Sequence, residues 1–114
     1  MWLFTRDGFF SAIQDADCSA SEVIVRARVK RDLLRLLTKI GRPDDEMISL
    51  PQANYRCRIK ITKREWADYL SSEAMDIDYS NVKDAISDGL YERSEAYYVC
   101  WTSLHWFQAE MVGV

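Results

Sequence analysis

Two stretches of the chain alternate between apolar and basic residues. In Val23–Lys30 and in Tyr55–Ile61 the odd positions are apolar, and the even positions are Arg or Lys, apart from Ile24. Alternation with period two is typical of antiparallel strands that bury one face and expose the other. We therefore predict two strands, Val23–Lys30 and Tyr55–Thr62, in one sheet with a basic exposed face. The bases assigned to that face are Arg26, Arg28, Lys30, Arg56, Arg58 and Lys60.

The remaining apolar pattern of the first half predicts a hairpin, a helix and an edge strand. Residues 2–14 form two apolar runs around Asp7-Gly8, a pair favoured in type I′ turns because both central positions need positive φ. Leucines and isoleucine at helical spacing predict a helix over residues 31–40, and Gly41 suits its C-terminal end. Met47–Leu50 is predicted to be an edge strand because Pro51 follows it.

The second half of the chain predicts helices. Thr62 and Glu65 have the spacing of a capping box, which places a helix over about residues 63–75. A short helix is predicted over Asn81–Asp88, and a long one runs from Leu90 to Glu110. The long helix is apolar nearly all round, which is typical of a helix that is buried on most sides or that contacts a partner.

The element order β β β α β β α α α predicts an α+β fold. We expect an antiparallel sheet of about five strands, beginning with the N-terminal hairpin, with helices packed on one face. A β-α-β-β-α core within this order is related to ferredoxin-like folds. A length of 114 residues predicts a single domain over residues 1–114.

Composition narrows the class of protein. Hydrophobic residues make up 48% and charged residues 29%, as in ordinary globular proteins, and the net charge is −3. No stretch approaches the ~20 apolar residues of a membrane span, and the N-terminus does not resemble a signal peptide. The three cysteines are far apart, which fits neither a disulfide framework nor a zinc site. We therefore expect a cytoplasmic protein with reduced thiols, no membrane contact, no bound metal and no cofactor.

Three segments of the chain resemble a group of small bacterial proteins that begin with the motif MWxFTxxGFFS. In that group the motif is followed by an arginine-bearing strand and a leucine-rich helix. The resemblance implies a compact bacterial or prophage-borne domain, and it implies no particular activity and no site residues. The matching segments are Trp2-x-Phe4-Thr5-x-x-Gly8-Phe9-Phe10-Ser11, Val25-Arg26-Ala27-Arg28-Val29 and Tyr55-Arg56-x-Arg58-Ile59.

Catalytic motifs do not stand out in the sequence. It contains no glycine-rich phosphate loop and no Gly-x-Ser-x-Gly elbow. His105 is the one histidine, and it lies among Trp101 and Trp106. We interpret it as part of an aromatic cluster or interface, and the alternative is a general base of a small enzyme of unknown reaction. Because Cys100 falls on another face of the helix, the two side chains do not pair locally. We expect no catalytic residues and no enzymatic activity.

Two surfaces are candidates for binding. The basic face suits an acidic protein or a nucleic acid, although exposed strands also carry Arg and Lys without any partner. The negative net charge counts against nucleic acid, because most nucleic-acid-binding domains are basic. The aromatic helix is either core or the surface of a homodimer or another protein complex. The candidate binding residues are Arg26, Arg28, Arg56, Arg58, Lys60, Trp101, His105 and Trp106.

The leading hypothesis is a non-enzymatic module for protein–protein interaction. Its most concrete form is a small phage or prophage protein that inhibits a host nucleic-acid-processing complex, as anti-CRISPR proteins do. The first alternative is a nucleic-acid-binding domain that uses the basic sheet face. The second alternative is the small enzyme that uses His105.

Overall fold

The computed structural model describes residues 1–113, which form a five-stranded antiparallel sheet and three α-helices. The order of the strands across the sheet is β1-β2-β3-β5-β4. The predicted α+β class and the predicted number of strands are confirmed. The strands are β1 (Trp2–Thr5), β2 (Gly8–Ile13), β3 (Glu22–Ala27), β4 (Ile48–Ser49) and β5 (Cys57–Thr62). The helices are α1 (Lys30–Ile40), α2 (Lys63–Met75) and α3 (Tyr91–Glu110).

The chain divides into two compact units. The first, Met1–Asp78, contains the whole sheet, α1 and α2, and the second begins at Tyr79 and contains α3. Between residues 1 and 113, no helix is both long enough and apolar enough to cross a membrane.

The core of the first unit lies between one face of the sheet and two helices. The odd-numbered residues of β3 and β5, such as Val25 and Ile59, are at most 9% exposed. They form one hydrophobic cluster with Leu33 of α1 and Trp66 of α2. Because both helices share this cluster with the same strand positions, α1 and α2 cover the same sheet face, as predicted. The even-numbered positions of β3 and β5 therefore point to the opposite face.

The middle of the sheet has the order expected of a split β-α-β unit. The strand β5 lies between β3 and β4 and is antiparallel to both. The N-terminal hairpin adds β2 to the free side of β3. This arrangement is compatible with a ferredoxin-like relation, with the additional strand supplied by the start of the chain.

The N-terminal hairpin turns at Arg6-Asp7 and not at Asp7-Gly8. Gly8 pairs with Thr5 as the first residue of β2, and no residue of the turn has a positive φ. The predicted type I′ turn was therefore wrong. The Thr5 hydroxyl closes the turn instead, because its Oγ1 accepts from the Asp7 and Gly8 amides at 3.1 and 3.2 Å.

Several predicted boundaries differ from those of the structure. β3 ends at Ala27 and α1 begins at Lys30, so Lys30 belongs to the helix and not to the basic strand face. In place of the short helix predicted over Asn81–Asp88 there is a single 3₁₀ turn, Val82–Asp84. Gly41 adopts a left-handed φ of 76° at the end of α1, as expected. Helix α2 has its predicted bounds and its predicted capping box between Thr62 and Glu65.

Candidate binding surface on the sheet

Strand pairing places five residues in a single row across the sheet face opposite α1 and α2. Trp2 lies opposite Ser11, Ser11 opposite Arg26, and Arg26 opposite Arg58. Ile48 of the edge strand β4 completes the row opposite Arg58. Directly opposed residues of neighbouring strands point to the same face, so these five side chains project together on the side away from α1 and α2. We call this set the cross-strand row.

The structure brings the predicted basic residues of the sheet together on this side. Arg26 and Arg58 are half-buried in the cross-strand row, and Lys60 is exposed two residues further along β5. Arg28 and Arg56 lie just beyond the ends of their strands, and both line an open recess of about 300 Å³ beside β4. We call Arg26, Arg28, Arg56, Arg58 and Lys60 the basic patch.

No carboxylate within residues 1–113 forms a salt bridge with any member of the basic patch. Lys60 donates to the Asp17 carbonyl at 2.7 Å, and Arg28 donates to the Asn54 carbonyl at 3.0 Å and side chain at 2.9 Å. These acceptors are neutral, and the Glu22 carboxylate near Lys60 forms no salt bridge with it, so the charge of the basic patch is at most partly compensated. Because Arg26 and Arg58 are directly opposed like charges, their pairing also disfavours the isolated sheet.

Tyr55 packs against the guanidinium groups of the basic patch. The guanidinium carbons of Arg26 and Arg28 lie 4.4 and 4.2 Å from the centre of its ring, and the ring is 5% exposed. The position expected for Tyr55 on the core face was therefore wrong. Tyr55 precedes β5 and does not follow the alternation of that strand, and it is outside the hydrophobic cluster under the helices. Cation–π contact of this kind holds a guanidinium in a fixed plane.

Two nitrogen atoms of the cross-strand row are buried without a hydrogen-bond partner. These are Nε of Arg26 and Nε of Arg58. The other nitrogens are partly used: Arg26 Nη2 donates to the Ser11 hydroxyl at 2.7 Å, and Arg58 Nη2 to the Tyr55 carbonyl at 3.4 Å. A buried donor without an acceptor is costly, and most native structures pair such groups. Both arginine side chains are only half-buried, so an anionic oxygen at the exposed part of either guanidinium would offset its charge.

Sequence reasoning missed the residues that complete this surface. Ser11, which orients Arg26, and Tyr55, which supports two arginines, were not among the candidates, and neither was Trp2. The sequence carries a signal for Tyr55, because an aromatic residue precedes Arg56-Cys57-Arg58. No local signal aligns Trp2 with Arg26, since that alignment depends on the register of three strands.

The aromatic candidates lie together in the second unit. In α3 the Trp101 ring stacks on Tyr98 and on His105, with centroids 6.0 and 5.4 Å apart. His105 also meets Trp106 edge-on at 5.8 Å. From Tyr98 to residue 113 every side chain is exposed except Cys100 and Thr102, which are half-buried. Burial of this stretch on most sides is contradicted, and its interpretation as an interface stays a prediction.

The surroundings of His105 are aromatic. No three His, Cys, Asp or Glu side chains in residues 1–113 are grouped as in a metal site. The contacts that the structure gives His105 are with the rings of Trp101 and Trp106.

Comparison of the chain with family models, with curated proteins and with solved structures gave no match. The resemblance of the N-terminal half to the MWxFTxxGFFS group stays a prediction.

Proposed function

We propose that this chain is a non-enzymatic binding protein that engages an anionic partner through the basic patch. The observation that carries the proposal is the absence of carboxylate partners for these five bases within residues 1–113. Acidic residues outnumber basic ones in the chain, 18 to 15, so a shortage of internal acids does not explain it.

Three bases of the first unit outside the basic patch have acidic partners. Arg42 binds Glu65 and Glu46 at 2.6 and 2.9 Å, and Lys39 binds Glu73 at 2.6 Å. Arg6 likewise forms a salt bridge, with Asp78. The five bases of the basic patch lie close together and form no salt bridge with a carboxylate of residues 1–113, which favours a partner from outside the chain.

Reversal of exposed charges tests the proposal. In the Arg56→Glu/Lys60→Glu variant, we expect affinity for a fluorescent polyglutamate or oligonucleotide probe to fall at least about tenfold, because two attractive contacts become repulsive. Fluorescence anisotropy at low salt measures this affinity. Both side chains are exposed, so we expect the thermal unfolding midpoint to change little.

The matched control is Lys63→Glu/Arg64→Glu, which makes the same change in net charge on exposed residues of α2. It should retain most of the wild-type affinity. Equal losses in the two variants would mean that net charge, and not the basic patch, determines binding. An absence of binding to every anionic probe would contradict the proposal outright.

A second candidate surface is the exposed part of α3. Apolar and aromatic side chains there, among them Trp101, Leu104 and Trp106, are 50, 67 and 63% exposed. An exposed apolar surface of this kind favours contact with another protein or with a second copy of the chain. Sedimentation velocity tests the homodimer: a monomer at all concentrations contradicts it, and Trp106→Glu should abolish a dimer that forms.

The narrower hypotheses from the sequence stay predictions. Action in the cytoplasm as a phage-borne inhibitor of a nucleic-acid-processing complex is tested by the neighbourhood of the gene, and a housekeeping operon would contradict it. The alternative of a small enzyme is tested by His105→Ala, which should abolish any activity that depends on a general base at that position.

A further inference from the structure

The exposed sheet face carries aromatic rings beside the basic patch. On the hairpin, Phe4 and Phe9 are paired across β1 and β2, with ring centroids 4.6 Å apart. Trp2 meets Phe9 edge-on at 6.2 Å and is 71% exposed. Because most of the Trp2 surface is exposed, the indole is accessible to a planar ligand.

The cross-strand row joins this indole to two arginines. Neighbouring strands are about 4.8 Å apart, so the backbone of Trp2 is about 10 Å from that of Arg26 and about 14 Å from that of Arg58. Ser11 lies between Trp2 and Arg26 and accepts from the Arg26 guanidinium at 2.7 Å. This hydrogen bond directs the guanidinium toward the aromatic side of the sheet.

The combination of an aromatic plane and fixed guanidinium groups matches the chemistry of a single-stranded nucleic acid. Its unpaired bases stack on aromatic side chains, and its phosphates bind Arg and Lys. A duplex hides its base planes, and an acidic peptide supplies carboxylates without planar bases. Phosphate oxygens accept from guanidinium groups at two positions, and the side chains of Arg26 and Arg58 are partly exposed on this face.

We infer that the sheet face binds single-stranded nucleic acid, with a base stacked on Trp2 and phosphates at Arg26, Arg58 and Lys60. This inference rests on the proposed function and names the class of the anionic partner. The net charge of −3 weakens long-range attraction, so binding depends on close contacts at the patch. Stacking is tolerant of base identity, so it serves DNA and RNA strands alike.

The experiment compares negatively charged probes that expose planar bases with negatively charged probes that do not. Wild-type protein is titrated by fluorescence anisotropy against labelled oligothymidylate and oligouridylate of about 12 nucleotides, a duplex of the same length, and polyglutamate. We expect the two single strands to bind more tightly than the duplex and polyglutamate. For each phosphate contacted, the slope of log affinity against log salt should change by about −0.7, which gives roughly −2 for three contacts.

Trp2→Ala separates stacking from charge. It should weaken single-strand binding about fivefold to a hundredfold and leave polyglutamate binding unchanged, because it removes the stacking surface and no charge. Trp2→Phe should restore most of the loss. The Arg56→Glu/Lys60→Glu variant should weaken binding to every probe, and Lys63→Glu/Arg64→Glu should retain most of the wild-type affinity for each of them. Circular dichroism of each variant confirms that the fold is intact, as expected for a highly exposed side chain.

The outcomes distinguish the inference from the proposed function. If Trp2→Ala binds single strands as well as wild type, or if polyglutamate and duplex bind as tightly as the single strands, the nucleic-acid inference is wrong while the anionic partner stands. If no probe responds to charge reversal in the basic patch, the proposed function is wrong as well.

Discussion

At Gly8, the start of β2 approaches the buried side chain of Asp32. A β-carbon added to Gly8 would lie 2.5 Å from Cγ of Asp32, a separation that real side chains do not tolerate. The Asp32 carboxylate accepts from the neighbouring Phe9 amide at 3.1 Å, so it is not free to move away. Glycine is therefore required at this position because there is no room for a β-carbon, and not because the backbone has a positive φ.

Gly8→Ala should destabilise the protein by about 1–3 kcal/mol, because either the hairpin or Asp32 must shift. Chemical denaturation measures this loss. In an Asp32→Gly background the same substitution should cost less, since the obstructing side-chain atoms, Cβ included, are gone. Equal costs in the two backgrounds would show that the clash with Asp32 is not the cause.

For Arg26 and Arg58, the sequence predicts the face of the sheet on which each side chain lies but not the residue opposite it. Period-two alternation placed both on the exposed face, because the direction of a strand side chain depends only on its position in the strand. Their direct opposition depends on the register between β3 and β5, which the local pattern does not contain. The turn at Arg6-Asp7 was missed for a related reason: a side chain, Thr5, closes it in place of the backbone geometry that Asp7-Gly8 favours.

Among the elements, α2 is the one whose start the sequence determined most fully. Thr62 Oγ1 accepts from the Glu65 amide at 3.0 Å, and the Glu65 carboxylate accepts from the Thr62 amide at 3.0 Å. The same carboxylate binds the Arg42 guanidinium at 2.6 and 2.7 Å, a long-range contact that the capping motif did not disclose. Hydrogen bonds from Arg42, and then those from Thr62, lower the pKa of Glu65 from 4.5 to about 2.

This pKa predicts how the stability of the α2 start depends on pH. A carboxyl group with a lowered pKa in the folded state stabilises it above the unfolded pKa, and the stabilisation is lost as the pH falls toward the folded pKa. Glu65→Gln keeps a capping side chain but loses the ion pair, so it should cost about 1–2 kcal/mol at neutral pH after allowance for partial exposure. The cost should shrink as the pH falls from 4.5 to about 2.

Urea unfolding of wild type and Glu65→Gln across this pH range measures the difference. Asp68→Asn, on an exposed position of the same helix, controls for general effects of acid on α2. A Glu65→Gln cost that does not change with pH would contradict the role of the charged pair with Arg42.

For helix α3, the sequence predicted the bounds of the helix but not which of its side chains are buried. Its existence and its bounds followed from the sequence, which lacks glycine and proline over residues 91–110. The burial of its side chains could not be predicted, because a helix that is apolar on all sides has no periodicity to show which face is covered. The structure leaves residues such as Tyr98, Leu104 and Phe107 between 48 and 67% exposed.

For the whole molecule, the fold followed from local patterns and the candidate site only in part. Alternation, capping and leucine spacing were sufficient for the α+β class and for helices on one sheet face, because each pattern is local and all of them agree. The basic patch was predicted residue by residue. Its alignment with Trp2, its support by Tyr55 and its lack of carboxylate partners depend on contacts between distant segments.

The distribution of charge is the property that connects the fold with the proposed function. The chain is acidic overall. Arg42 and Lys39, which lie outside the basic patch, form internal salt bridges. The basic patch is thus a local positive surface on an acidic protein. Such a surface suits short-range recognition, since attraction over long distances is screened by salt and opposed by the net charge.

The most direct test of the central claim is to follow the arginine Nε–H signals by NMR during titration with an oligonucleotide or polyglutamate. Within residues 1–113, Nε of Arg26 and Arg58 has no protein acceptor, whereas Nε of Arg42 already donates to Glu65 at 2.6 Å. We expect the Arg26 and Arg58 signals to shift and saturate with added anion, and the Arg42 signal to stay in place. Unchanged Arg26 and Arg58 signals, or equal shifts at all three arginines, would contradict binding of an anionic partner at the sheet face.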